Sequence, residues 1–134
     1  MNMDEKIYPR KEARLNYAES PPNGPPLLLL HGLTFRWQSF SALIPELSKR
    51  WHVFALDLRG HGKSDHNFPK YRYGDFVNDT VEFVTECVGQ PAVIFGHSLG
   101  AAVGFAAAAL IRSAGAGADY RRQLSLSRQF RRGD

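Results

Sequence analysis

Apolar residues fall into two kinds of run along the chain. Three are short and nearly unbroken: Pro26 to Leu30, the stretch within Trp51 to Asp57, and Pro91 to Phe95. Runs of that length, bounded by turn residues and lacking polar alternation, suit strands covered on both faces. Between them, apolar residues recur at helical spacing. Trp37, Phe40, Ile44 and Leu47 predict a helix that Pro45 should break or kink, since proline removes a backbone donor. Val77, Val81, Val84 and Val88 mark one face of a second helix, with Asp75 as its N-cap and Gly89 closing it. A third helix is expected from Leu99 to Ile111. Upstream, residues 12–19 alternate in part (Ala13, Leu15, Tyr17), as a half-exposed strand does, whereas residues 1–12 are polar and predict loose order. Ser20 to Pro25 is dense in turn residues. Strands alternating with helices predict an α/β fold: a mostly parallel sheet flanked by helices.

Each apolar run stops at a glycine-containing loop. The first ends in His31-Gly32-Leu33-Thr34, the second in Asp57-Leu58-Arg59-Gly60-His61-Gly62-Lys63-Ser64, the third in Gly96-His97-Ser98-Leu99-Gly100. Ligands of open parallel sheets bind outside the carboxyl ends of the strands, so the three loops should converge on one crevice. The third is a G-x-S-x-G pentapeptide between a strand and a helix, the setting of a nucleophile elbow. There the serine hydroxyl is lifted out of the sheet, and Gly96 and Gly100 are required because strand and helix backbones cross without room for a Cβ.

These three motifs, in this order, resemble the α/β-hydrolase family in its esterase, lipase and haloperoxidase-like branch, over roughly residues 13–111. The resemblance implies a serine-centred acyl-transfer site with Ser98 as nucleophile and a small-molecule acyl substrate, without a cofactor. It implies an oxyanion hole from the main-chain N–H groups of Leu33 and Leu99, and loop-shaping roles for His31, Gly32, Asp57, Arg59, Gly60, His61, Gly62 and Ser64. Asp57 and Arg59 suggest a charge pair within that second loop. Dehalogenases and epoxide hydrolases carry an aspartate at the elbow, so Ser98 points to ester, thioester or related chemistry. The family's acid and histidine follow the serine in sequence. Here no histidine follows His97, and Asp119 is the acid available before the last residue. The five histidines show no metal-ligand spacing such as H-x-x-x-H, so no metal site is expected.

Charge changes the picture only at the C-terminal end. The net charge is +4, and residues 1–111 balance to zero, so the whole excess lies in residues 112–134, which hold six arginines and two aspartates. Such a tail could bind nucleic acid or anionic lipid, but no interleaved aromatics or zinc spacing accompany it, and a solvated end is the expectation. Residues 112–134 are therefore read as an atypical tail after a hydrolase-like portion at 1–111. Leu124-Ser125-Leu126-Ser127 is the nearest candidate for a further strand. A shifted frame or premature end would produce such a tail, giving a fold truncated after the elbow helix and a chain without its catalytic base. The alternative function is a non-catalytic product that associates with itself or another chain through an exposed sheet edge. The single Cys87 excludes an internal disulfide and suits a reducing, cytoplasmic setting. No apolar run is long enough for a membrane span.

Overall fold

The computed structural model describes residues 2–10, 13–66 and 69–114. Five strands form one sheet in the order β1-β2-β4-β3-β5. They are β1 (Asp4–Pro9), β2 (Arg14–Glu19), β3 (Pro26–Leu30), β4 (His52–Leu56) and β5 (Val93–Gly96). β3 pairs in parallel with β4 and with β5, while β2 is antiparallel to both β1 and β4. Four strands therefore run one way and β2 the other. Helix α1 (Ile44–Leu47), preceded by a 3-10 turn at Trp37–Phe40, lies on one face. Helices α2 (Tyr73–Glu82) and α3 (Leu99–Ser113) lie on the other.

Two apolar layers follow from strand alternation. Leu28, Leu30, Phe54 and Leu56 face α2 and α3 together with Val81, Phe83 and Val103. Leu27, Leu29, Val53 and Ala55 face the opposite way, under Trp37, Phe40 and Ile44. All five residues of β3 are buried, as expected of a central parallel strand.

Four expectations are corrected. The polar segment at the N-terminus is not loose: Asp4–Pro9 is a strand, in register with β2 from Asp4↔Glu19 to Pro9↔Arg14. Its hold comes from the main-chain ladder, from the Tyr8 ring edge-on to Phe83 at 5.9 Å, and from Arg10, which pairs with Asp79 and with Glu82 (2.5 Å). Trp37 to Leu47 is not one helix broken by proline but two short pieces. Pro45 lies in the first turn of α1, where its missing N–H is no loss. Asp75 is not the N-cap of α2. The helix begins at Tyr73, and Asp75, in its third position, accepts the N–H of Arg72 at 3.0 Å. Nor is α2 buried on a single stripe: Phe76 to Val81 are all buried, because the apolar face of the sheet, α3 and the Arg10 and Arg59 side chains that reach Asp79 surround it. It continues through a wider π-type turn, Phe83–Val88, to Gly89 at φ 69°.

Candidate active site

The third motif sits where β5 turns into α3. The His97 N–H donates to the Leu30 carbonyl at 3.0 Å, extending the sheet one step past β5. Ser98 follows with φ 54° and ψ −116°, and Leu99 opens the helix. The φ is positive, and the ψ lies outside the left-handed helical basin, so the pair is the mirror image of an extended conformation. A non-glycine residue held there costs of order 1–3 kcal/mol. The crossing is tight enough to explain the glycines. A Cβ on Gly96 would stand 2.3 Å from the Gly100 carbonyl oxygen, and one on Gly100 would stand 2.1 Å from that of Leu30. Gly104, one turn further, faces a side chain instead of backbone, with a Cβ there standing 2.8 Å from Ile94 Cγ2, and only its position on the helix could have revealed it. The Ser98 side chain makes no capping bond to α3 and is exposed.

The loop after β3 lies against this turn. A Cβ on Gly32 would be 3.0 Å from His97 Nδ1, and the rings of Phe35 and His97 meet edge-on at 6.1 Å. The loop turns sharply, with the Phe35 N–H donating to the Gly32 carbonyl at 3.1 Å and Thr34 at φ 68°. Among the described residues, neither the Leu33 nor the Leu99 main-chain N–H has an acceptor. The Leu99 group also lies at the N-terminus of α3, where the aligned peptide dipoles favour negative charge.

The loop after β4 is organised by two side chains with separate partners. Asp57 is buried and accepts the N–H groups of Trp37 (2.8 Å) and Lys63 (3.0 Å) and the Asn16 amide (2.9 Å). Arg59 forms a two-pronged pair with Asp79, Nε to Oδ2 at 2.6 Å and Nη2 to Oδ1 at 2.7 Å. The Asp57–Arg59 pair expected from the sequence is thus replaced by two independent anchors, one in the sheet and one on α2. Asn16 and Asp79 were not foreseen: Asn16 is a lone polar residue between Leu15 and Tyr17, and Asp79 stands in the polar run Asn78-Asp79-Thr80, which reads as the solvated side of the helix. Ser64 donates to the Asp57 carbonyl at 2.6 Å and accepts the Asn16 N–H at 2.8 Å. Gly60 and Gly62 have φ of 74° and 51°, and a Cβ on Gly62 would collide with the Asp57 carboxylate.

His31 ties the first loop to the second. Its Nδ1–H donates to the Gly32 carbonyl at 2.7 Å, and its Nε2 accepts the Leu58 N–H at 3.0 Å. Burial holds its pKa below the ordinary histidine value, and the neighbouring His61, with ring centroid 5.0 Å away, pushes the same way. His61 bonds the Arg59 carbonyl through Nδ1 at 2.8 Å. Both His31 nitrogens are therefore engaged, and no histidine among the described residues hydrogen-bonds Ser98. Asp119 and the Leu124–Ser127 segment lie outside the described residues. Among those described there is no cluster suited to a metal ion, and no helix is long and apolar enough to cross a membrane.

An open cleft of about 720 Å³ separates the two loops, lined by Thr34, Phe35, Arg36 and Gln38 on one side and by Gly60, His61 and His66 on the other. Ser98 is not part of its wall. The cleft approaches the elbow through Phe35, which lines it and also touches His97.

With this geometry in place, the comparisons with known proteins are direct. Residues 25–114 match the family model described as alpha/beta hydrolase fold. The chain belongs to the alpha/beta hydrolase family. It is 37% identical over 95 residues to 2-(acetamidomethylene)succinate hydrolase of Mesorhizobium japonicum, a match covering 68% of this chain and 34% of that protein. It is 37% identical over 91 residues to epoxide hydrolase B of Mycobacterium tuberculosis, covering 64% and 26%. The crystal structure of E-2-(acetamidomethylene)succinate hydrolase superposes with a TM-score of 0.75 at 32% identity, over 81% of this chain and 40% of that one. The chain thus spans roughly a third of the length of the curated relatives it matches.

Proposed function

We propose that Ser98 is the nucleophile of a serine hydrolase acting on an ester or related small-molecule acyl substrate, with the Leu33 and Leu99 N–H groups as its oxyanion hole. The observation that carries this reading is the exposed, uncapped Ser98 hydroxyl at positive φ, on a crossing too close for any side chain at Gly96 or Gly100. In that role Ser98 Oγ attacks the acyl carbonyl, and the oxyanion forms against donors that need no reorganisation. Each such donor is worth about 2.7–4 kcal/mol in the transition state. Asp57, Arg59, His31, His61, Ser64 and Gly32, Gly60 and Gly62 act by fixing the two loops around the cleft, which leaves room for the rest of the substrate. The named activities of relatives as different as a succinate-derivative hydrolase and an epoxide hydrolase support hydrolysis without selecting the acyl group.

A serine alone is a weak nucleophile and needs a base in hydrogen-bond reach. No histidine follows His97, and His31 is committed to two loop bonds, so we infer that this chain by itself is catalytically incomplete. General-base assistance contributes about 10²–10⁴-fold. Hydrolysis of an activated short-chain ester is therefore expected within a few fold of the Ser98→Ala variant. Fast turnover abolished by Ser98→Ala would overturn the incompleteness. The nucleophile position is tested separately with Ser98→Cys. A thiol at the start of α3 ionises readily, whereas burial raises the pKa of Cys87. The new thiol should be alkylated at neutral pH well before Cys87; equal or slower reaction would remove Ser98 from the role.

A further inference from the structure

The Leu33 N–H shares its peptide plane with the Gly32 carbonyl. In a trans peptide the two groups point opposite ways, and the described residues contain no cis bond. Whatever holds the Gly32 oxygen therefore aims the Leu33 N–H. A carbonyl oxygen has two lone pairs, and here both are taken. The Phe35 N–H donates to it at 3.1 Å and His31 Nδ1–H at 2.7 Å. On the far side of the same plane, the Leu33 N–H has no acceptor among the described residues.

The two donors are not equivalent. The Phe35 bond closes a turn over Leu33 and Thr34, and Thr34 stands at φ 68°. Glycine is the residue suited to that position of a turn, and a β-branched residue there is an outlier. Such a conformation persists only where its surroundings over-determine it. Leu33 and Thr34 are both exposed, so packing of their side chains does not supply the hold. His31 is fully buried, with the His61 ring 5.0 Å away. Its Nε2 accepts the Leu58 N–H at 3.0 Å. A main-chain N–H can only donate, so Nε2 is bare and Nδ1 carries the proton, the partner of one nitrogen fixing the state of the other. The buried Leu58 N–H thus guarantees that His31 has a proton to give to Gly32.

We propose that His31 is a positioning residue whose Nδ1–H, through the Gly32 carbonyl, sets the direction of the Leu33 N–H. The two ring nitrogens then have separable tasks: Nε2 ties the first loop to the second, and Nδ1 aims one donor. The aiming stands on the hydrogen bonds alone; its consequence for chemistry rests on the reading of Leu33 as an oxyanion donor.

Two amide substitutions separate the tasks. His31→Asn puts its amide where the ring has Nδ1 and keeps a donor for Gly32. His31→Gln reaches the place of Nε2 and keeps an acceptor for Leu58. Both are made in the full 134-residue chain carrying Ser98→Cys, with a phenyl trifluoromethyl ketone as probe. The thiolate sulfur bonds to the ketone carbon, the C=O π pair moves to oxygen as an alkoxide, and the thiol proton goes to water. Fluorine NMR reads the adduct's dissociation constant, and the residual dipolar coupling of the Leu33 N–H reads its direction. His31→Gln should turn the Leu33 N–H and weaken the adduct about hundredfold, whereas His31→Asn should keep the direction and stay within about threefold. A merely structural role would weaken the adduct in step with the urea midpoint of each variant, and that result overturns the proposal. So does an unchanged Leu33 coupling in His31→Gln. A coupling that turns while the adduct is indifferent, or never forms, upholds the aiming and instead removes Leu33 or Ser98 from its proposed role. In the unsubstituted chain, imidazole nitrogen shifts should show His31 protonated at Nδ1 and bare at Nε2. The opposite tautomer overturns the proposal even where neither variant folds.

Discussion

The two outer strands of this sheet face the same problem and handle it differently. β1 carries Asp4, Glu5 and Lys6 and ends in Pro9, all features that discourage another strand from adding to it. Lys6 bonds Glu19 at 2.7 Å, and beyond Pro9 the chain is locked down by Arg10 between Asp79 and Glu82. β5 has no charge, no proline within it and two half-exposed apolar side chains. The first is built to be a boundary. The second has the composition of an interior strand, although it is outermost among the described residues. The contrast also divides the kinds of force at work: polar and ionic anchoring secures one side of the molecule, and close steric fitting secures the other.

That division can be broken most severely at Asp79. Its carboxylate is shared by Arg10 and Arg59, all three buried. Asp79→Ala leaves two guanidinium groups in the interior without it, a change that costs about 3–5 kcal/mol. Urea unfolding should show that loss, and hydrogen exchange should show β1 opening first. An unchanged β1 would mean the ladder with β2 suffices without the ionic anchor. On the steric side, Gly100→Ala pushes a methyl group onto the Leu30 and His31 carbonyls, which are backbone and cannot swing aside. A loss of about 3 kcal/mol is expected, concentrated in β5 and α3 with β1 protection retained. A smaller and opposite effect is expected at Ser98. Glycine tolerates its φ and ψ freely, so Ser98→Gly should raise stability by about 1 kcal/mol, read from the urea midpoint. A destabilised variant would remove the strain from the account.

The smallest effect concerns the seam between the two sides. His31 is held neutral by burial, so its pKa is lower folded than unfolded. The unfolded chain then binds the extra proton first, and the contribution is fully present above the ordinary histidine value of about 6.5. It is lost progressively as pH falls below that value. Urea midpoints from pH 7.5 to 5.5 should decline for this reason, and the decline should be shallower in His31→Gln. Identical slopes would assign the pH response elsewhere.

The parts of the fold legible in the sequence were those written as continuous signals. Pro26 to Leu30 could only be a covered strand, and the tight turn from β5 into α3 announced itself because glycine recurs where two backbones touch. What escaped was structure made by pairing rather than by local pattern. Nothing in Asp4 to Pro9 shows a strand until Arg14 to Glu19 lies beside it. The site showed the same limit. Asp57 and Arg59 look like partners because they are two residues apart on the page, yet a strand sends alternate side chains the same way only while it remains a strand, and the turn after Leu58 separates them. Arg59 finds its carboxylate at Asp79, on a helix whose apolar stripe gave no hint of a buried charge. Pro45 was misread for a related reason: whether proline breaks a helix or begins one depends on where the turn starts, which Trp37 and Ile44 do not disclose.

The Gly100 contact with the Leu30 and His31 carbonyls bears on the order in which the molecule can be made. Among the described residues, every group that fixes the backbone of Ser98 lies either upstream of it or within α3: the Leu30 carbonyl, the Gly32 turn, Gly96, Gly100 and Gly104. A ribosome releases the chain from its N-terminus at about 5–20 residues per second. Once Ser113 has cleared the exit tunnel, all the components of the strained turn are available, and it can close without any contact from the residues that follow. The posture of Ser98 thus depends on nothing made after α3.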